Sequence, residues 1–446
     1  MKRLNIQEFR AGFGEGSEFQ ETDAVGRIIA DVRTRGDAAL RDLTLKFDGV
    51  AVDAIRIGVE EIDAAPSHLD PGLVSAMREA ASNIRVFAEA QLGAYKDFEI
   101  EIRPDVFVGQ TVIPLERAGV YVPGGRHPLV SSLLMGAIPA SVAGVHEVLV
   151  CTPPGPDGHV SPAILAAAGL CGVREVYRVG GAQAVAAMAY GTESIRKADK
   201  IFGPGNAYVS AAKKCVFGDV GIDFIAGPTE LMIIADRNAD PAFIAADLVA
   251  QAEHDVRATA ILATDSDELA AEVGQKIGDI LKQVRTADVA RESLETRGSI
   301  VLVSSIEEAV ELANERAPEH LGLFTADAER IRGRLRNFGS LFIGERAAEV
   351  FGDYSCGLNH ILPTGGAARY TGGLSVRDFL KIQTTLRVKG KGLQEIGPAA
   401  EQLARAEGLE AHALSAEVRR SRSKFRLSFP PFKPLGGHEK RGPSRP

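Results

Sequence analysis

The sequence predicts an α/β protein made of two Rossmann-like parallel-sheet domains with small helical terminal segments. Three observations predict it. Short β-rich runs alternate with helical windows after Pro114, the same rhythm returns from residue 230, and 446 residues with 45% hydrophobic side chains suffice for two or three cored domains. Alternating β and α runs imply mainly parallel sheets with helices on both faces, and ligands are then expected beyond the carboxyl ends of strands.

The elements follow in order. Residues 17–97 read as mostly helical, because "TDAVGRIIADVRTRGDAALRDLTLKFDG" and "DPGLVSAMREAASNIRVFAEAQL" repeat apolar residues at three- and four-residue spacing. Next come "GVYV", a helix near 129–142, "EVLVCT", a helix near 161–170, "EVYRV", a helix near 182–190 and "GIDFIAG". The second block runs "ELMIIA", a helix opened by Asp240 and Pro241, "TAILAT", a helix, "SIVLVS", a helix with a Ser-x-x-Glu cap, and "SLFIG". Residues 375–417 read as a smaller helical appendage. The stretch 419–446 reads as a basic, Pro-rich, disordered tail.

Composition excludes several function classes. Lys and Arg number 51 against 59 Asp and Glu, a net charge of −8, which disfavours a nucleic-acid partner for the body of the protein. Four cysteines without C-x-x-C spacing fit neither a disulfide framework nor a thiolate zinc site, and a reducing cytoplasm suits them. The N-terminus has no secretory h-region. The most apolar stretch, "LVSSLLMGAIPASVAGV", is broken by Pro139 and is too rich in small residues to span a membrane. No G-x-S-x-G elbow, H-E-x-x-H helix or Walker A motif is present.

Four signals carry chemistry. "AADLVAQAEHD" ends an apolar helix with Gln251 and His254, whose spacing of three puts both on one face, roughly 5–6 Å apart at Cβ and within reach of one metal ion. A histidine capping the helix carbonyls is the simpler reading of that pair. "GDYSCGLNH" adds Asp353, Asn359 and His360 in a loop after the "SLFIG" strand, and "AEGLEAH" adds Glu407 and His412, though such loop residues also serve as turn formers. "APEHL" sets Glu319 beside His320 at a helix end, either as an acid/base pair or as two solvated side chains. Finally, "YVPGGRHP", "VGGAQA" and "FGPGNAY" join β-like to helical runs, where backbone N–H groups meet phosphate or glycine serves a tight turn.

Taken together, "GVYVPGG", "VGGAQA", "FGPGNAYV", "AGPTE", "QAEHD", "APEHL", "GDYSCGLNHILPTGG" and "AEGLEAH" occur in the order and approximate spacing of the histidinol dehydrogenase family. The chain resembles that family from about residue 20 to about 417. The resemblance implies a zinc-dependent, NAD-linked oxidation of L-histidinol through L-histidinaldehyde to L-histidine, with two NAD and one water consumed. It implies an intertwined homodimer with shared active sites and one zinc per subunit, held by Gln251, His254, Asp353 and the His412 of the other chain. His320 is then the base for the hydroxyl proton and Glu319 the activator of water. Thr229, His360 and Glu407 match substrate contacts, beside the substrate-facing Gln251, His254, His320, Asp353 and His412. Tyr121, Gln183 and Asn206 match NAD contacts. Thr229 stands where the family more often has Ser, and similar segments occur in relatives that oxidise a sulfonated propanediol, the alternative substrate class. A non-catalytic binding protein with a recruiting tail is the third reading.

The domain division expected is an N-terminal segment 1–20, a first domain of 21–114 and 230–374 with the metal and catalytic residues, and a second domain 115–229 with the NAD contacts. A C-terminal helical segment 375–418 completes the partner's site, ahead of the tail 419–446.

Overall fold

The structure, a computed structural model, describes residues 1–12, 22–124 and 128–421. The expected disordered tail from residue 422 on, and residues 125–127 of the first glycine cluster, lie outside the described residues. Strands run in chain order as β1 (Lys2–Asn5), β2 (Phe98–Arg103), β3 (Val106–Pro114), β4 (Arg117–Tyr121), β5 (Glu147–Thr152), β6 (Glu175–Arg178) and β7 (Lys200–Phe202). They continue as β8 (Gly221–Ile222), β9 (Glu230–Ala235), β10 (Thr259–Thr264), β11 (Ser299–Leu302), β12 (His320–Phe324), β13 (Ser340–Ile343) and β14 (Leu380–Val388). The chain forms two units, residues 1–95 with 113–381 and residues 96–112 with 382–446.

The first unit holds two parallel sheets, ordered β6-β5-β4-β7-β8 and β1-β11-β10-β9-β12-β13. Apart from β1, both share one topology. Three strands are laid out in one direction, and the fourth and fifth return to the other side of the first. The winding therefore reverses between β4 and β7, and again between β9 and β12, and helices leaving neighbouring strands diverge at such a point. Inward alternation along β9 makes the second sheet two-faced. Leu231, Ile233 and Ala235 pack under the helices Pro241–Ala252 and Asp267–Ile280, whereas Met232 and Ile234 pack with the helix Ile306–Arg316. Central strands covered on both faces are apolar throughout, and all of β9 is buried.

The cores correct the expected domain division. Val25, Ile29 and Val32 of the helix Thr22–Arg35 pack with Leu149 and Cys151 of β5, and Met77, Ile84 and Ala88 of the helix Pro71–Leu92 pack with Val120 and Ile138. Those residues supply the covering layers of the 115–229 sheet, so 21–92 does not belong with 230–374. Ile361, Leu374, Val376 and Phe379 join the same core. Residues 1–11 likewise are no separate segment, because β1 extends the six-stranded sheet by pairing with β11.

The second unit differs from the helical appendage expected at 375–418. Its sheet has the order β14-β3-β2, and β2 pairs antiparallel with β3 across a turn at Asp105, whose φ is 65°. The side chain of Asp105 accepts a hydrogen bond from Lys391 N (2.9 Å) and its carbonyl one from Lys389 N (2.8 Å), which fixes the chain leaving β14. The helices Gly392–Ala406 and Glu410–Arg420 then pack as a pair, tied by Arg420 to the buried Glu401 at 2.7 Å. Among the described residues no helix is long and apolar enough to cross a membrane.

Candidate active site

The amino edge of the six-stranded sheet collects the ionisable residues. Position 317 sets the geometry: the helix Ile306–Arg316 ends at Ala317, whose φ of 51° is left-handed, and Pro318 cannot continue a helix. Glu319 follows, and His320 opens β12 in register with Leu231 of β9. "APEHL" is thus the start of a central strand and not a helix end. Gly339 is held by Pro318 O at 3.0 Å, and a Cβ there would stand 2.5 Å from Glu319 O, so glycine lets the two backbones close behind the pair.

Glu319 Oε2 accepts from Thr229 Oγ1 (2.6 Å) and from Glu230 N (2.8 Å). His320 Nδ1 lies 3.2 Å from Glu230 O, 3.5 Å from Glu349 Oε1 and 3.7 Å from Glu319 Oε2. A carbonyl oxygen only accepts, so this contact assigns the proton to Nδ1 and leaves Nε2 as the nitrogen free for proton transfer. Nε2 has no hydrogen-bond partner, and Asp353 Oδ1 stands 3.6 Å away, beyond a true hydrogen bond. Glu349 Oε2 is buried and unpartnered as well.

Three buried carboxyl groups around one imidazole perturb one another. Burial alone lowers the pKa of His320, but Glu349, Glu319 and Asp353 outweigh it and push the group up to about 10. Burial pushes Glu319 up to about 7 against the pull of His320 and its two hydrogen bonds. Burial also raises Glu349, reinforced by the charges of Asp353, Glu319 and Asp247. Asp353 is buried too, yet His320 holds it below the usual carboxylate range.

The same residues suit a cation. His320, Glu349 and Asp353 each offer one ligand atom, all within 4.8 Å of one another. Two orphaned buried atoms, His320 Nε2 and Glu349 Oε2, need a partner, and an imidazole with carboxylate and amide oxygens suits Zn²⁺. The helix Pro241–Ala252, capped at its start by Asp240 (2.8 Å to Ala242 N), aims its partially negative end at this edge. Its last turn carries the buried Gln251, and the exposed His254 follows two residues past the helix end. In the orientation that suits Glu230 and Glu349, the Gln251 amide oxygen accepts from Glu230 N (2.8 Å) and its nitrogen donates to Glu349 Oε1 (2.8 Å), while the one Thr229 hydroxyl proton is shared between Glu319 and this amide oxygen. His254 is near enough to lower the pKa of Asp353.

Thr229, Gln251, His254, Glu319, His320 and Asp353 are therefore brought together, and His360 joins them from the loop beyond. Its Nε2 lies 2.9 Å from Ser132 Oγ, in the first turn of the helix Val130–Ala143, and burial lowers its pKa. Glu407 and His412 lie in the second unit, the first just past the helix Gly392–Ala406 and the second in the helix Glu410–Arg420, both exposed. Sequence reasoning missed Glu349. The signal was its spacing of four from Asp353 in "EVFGD", which puts both carboxylates on one helical face. The expectation of a site beyond the carboxyl ends of strands is corrected for this sheet, because a helix that follows a parallel strand runs back and delivers its last turn to the amino edge.

In the five-stranded sheet the expected edge is the right one. Tyr121 ends β4, buried, with its hydroxyl accepting from Gly181 N at 3.0 Å, and burial raises its pKa. Gln183 is buried in the first turn of the helix Gly181–Tyr190, and Asn206 caps the helix Ala207–Val216 by accepting from Val209 N at 3.1 Å. All three stand at carboxyl ends of β4, β6 and β7, around the reversal between β4 and β7.

Comparison with known proteins agrees with this geometry. Residues 15–420 match a family model described as histidinol dehydrogenase. The histidinol dehydrogenase of Methanothermobacter thermautotrophicus is 50% identical over 391 residues, 88% of this chain and 91% of that protein. That of Geobacillus kaustophilus is 45% identical over 421 residues, covering 93% and 99%. The crystal structure of histidinol dehydrogenase from Elizabethkingia anophelis superposes with a TM-score of 0.90 at 38% identity, covering 94% of this chain and 98% of that one.

Proposed function

The chain belongs to the histidinol dehydrogenase family, and from that premise we propose that it oxidises L-histidinol through L-histidinaldehyde to L-histidine, the last step of histidine biosynthesis, with two hydrides passed to two NAD and one water consumed. The observation that carries the reading is His320, fixed through Nδ1 and free at Nε2, between Glu319 and Asp353.

A zinc ion held by Gln251, His254 and Asp353, with His412 from a second subunit, would supply the positive charge that grips the amino and imidazole nitrogens of the substrate. For Gln251 to ligate through oxygen, its amide must turn away from Glu230 N. Once the charge of Asp353 is met from elsewhere, His320 loses one of the three carboxyl groups, after Glu349 and Glu319, that raise its pKa, and moves toward the range of a general base. It then takes the hydroxyl proton at Nε2 as hydride leaves. Glu319, tethered at Oε2 by Thr229 and Glu230, keeps Oε1 for the water that hydrates the aldehyde. Its pKa near 7 suits that exchange of protons. Thr229 and His360 contact the substrate together with Glu407 from a second subunit, and Ser132 orients the His360 ring.

The two sheets are read as Rossmann-like, with NAD placed against Tyr121, Gln183 and Asn206 at the reversal between β4 and β7. Exposed apolar residues on the second unit's sheet, Phe98, Ile100 and Ile102 of β2 and Ile382 and Leu386 of β14, support a homodimer in which this face is covered. Four free thiols support a reducing cytoplasm.

The deciding measurement is stoichiometry: two NADH per L-histidinol, with activity removed by a chelator and restored by zinc. One NADH with free aldehyde, or turnover of sulfopropanediol in place of histidinol, refutes the assignment. Mixing inactive His412→Ala and His320→Ala subunits tests the shared site. Random exchange leaves half of the dimers mixed, each with one intact site, so about a quarter of wild-type activity is expected.

A further inference from the structure

One buried ion pair lies outside the acid/base site. Lys213, in the helix Ala207–Val216, meets Asp223, just past β8, and the two side chains are 3% and 1% exposed. Pairs this deep add little net stability, because removing both charges from water costs about as much as their attraction returns. What distinguishes this one is its target. Lys213 Nζ donates to Gly203 O (3.0 Å), and Asp223 Oδ2 accepts from Gly203 N (2.8 Å), so both polar groups of a single residue are held by opposite charges.

Gly203 needs such restraint. It is the first residue after β7, with φ at +114°, where L side chains rarely go, and a Cβ would collide with Tyr121 O across the sheet. Glycine tolerates the position but does not favour it over others. The chain then passes through Pro204 and Gly205 to Asn206, the cap of the next helix. Asp223 also donates its own N–H to Ile201 O (3.1 Å) and begins the segment that reaches Thr229, while Ser210 Oγ donates to Ala226 O (2.8 Å). The pair therefore stands at the root of two segments, one ending at Asn206 and the other at Thr229.

We infer that the Lys213–Asp223 pair is a positioning device for the dinucleotide, locking Gly203 so that Asn206 and the first turn of its helix are set against the end of β4 before the cofactor arrives. The inference rests on the NAD reading of that edge. A preorganised loop spares the ordering cost at binding, so losing the lock weakens the cofactor without altering proton transfer at His320.

The test is the double variant Lys213→Met/Asp223→Leu, which removes both charges and leaves neither uncompensated. ADP-ribose binding by calorimetry is expected to weaken about tenfold, and the KM for NAD to rise by a similar factor, with kcat within about twofold and the melting temperature kept. A folded variant that binds ADP-ribose as wild type does overturns the lock alone. Wild-type protein that binds neither ADP-ribose nor NADH overturns the cofactor reading and the lock with it. Amide exchange in the wild-type chain serves if the variant does not fold: Gly203 N–H is expected to exchange slowly even without cofactor, and exchange as fast as an open loop overturns the proposal.

Discussion

The two parallel sheets of the first unit share one winding order and present opposite edges. The five-stranded sheet gathers Tyr121, Gln183 and Asn206 at its carboxyl edge, and the six-stranded sheet gathers Glu319, His320, Gln251 and Asp353 at its amino edge. Carboxyl edges meet the beginnings of the following helices, with their free N–H groups and partial positive charge; amino edges meet the ends of helices, with partial negative charge. Each edge thus matches the group proposed for it: the pyrophosphate of a dinucleotide at one, a divalent cation at the other. One topology supplies both electrostatic signs.

The largest effect is expected at the amino edge. His320→Asn is expected to lower kcat by about 10²–10⁴-fold with little change in the KM for NAD, in steady-state assays. A comparable rise in that KM would break the separation of the two edges. At the carboxyl edge, Tyr121→Phe loses the hydrogen bond to Gly181 N, and the KM for NAD is expected to rise about three- to tenfold with kcat kept.

The pH dependence of stability sharpens the comparison next. Glu319 has a folded pKa of about 7, above the 4.5 of the free side chain, so it binds a proton more tightly when folded. Its contribution is present in full below about pH 4.5 and is lost as pH rises through 7. Glu319→Gln, a neutral isostere that can still accept from Thr229 and Glu230, is expected to raise stability of the chelated protein by on the order of 1–3 kcal/mol at pH 8 and to change it little at pH 4.5. Urea titrations at the two pH values give the difference, and equal shifts at both would refute the assignment of Glu319. Smallest is Ala317→Gly. Relief of the left-handed residue is expected to stabilise by roughly 0.5–1 kcal/mol, read as a higher melting temperature.

Much of this was legible in the chain. "ELMIIA" and "TAILAT" coincide with β9 and β10, and Asp240-Pro241 opens its helix as its chemistry dictates. Three kinds of element were not. β7 is three residues long, too short for a periodic signal, and β2 alternates Phe98, Ile100 and Ile102 with charged residues yet stays exposed at every position, so its period-two signal belongs to a strand with no buried face. β12 was hidden because "APEHLGLF" reads naturally as the tail of the preceding helix, although Pro318 is a stop. The edge itself was deducible from Gln251, with His254 just beyond it: Gln251 closes a helix following a parallel strand, and such a helix ends where its strand began. Glu349 stayed hidden because its partner Asp353 was read as part of a loop, which concealed the helical spacing.

The hydrogen bond between His360 and Ser132 has a mechanical meaning. Between Asp353 and His360 the chain leaves the six-stranded block, where Gly352 lies against Phe342 of β13, and enters the five-stranded one, where Asn359 Nδ2 donates to Met135 O at 2.8 Å and Ile361 joins the core. That short span is a strap sewn at both ends. A shift of one block against the other would load the His360–Ser132 hydrogen bond and the placement of Asp353 beside His320 together, so the seating of the two blocks and the integrity of the acid/base cluster are linked.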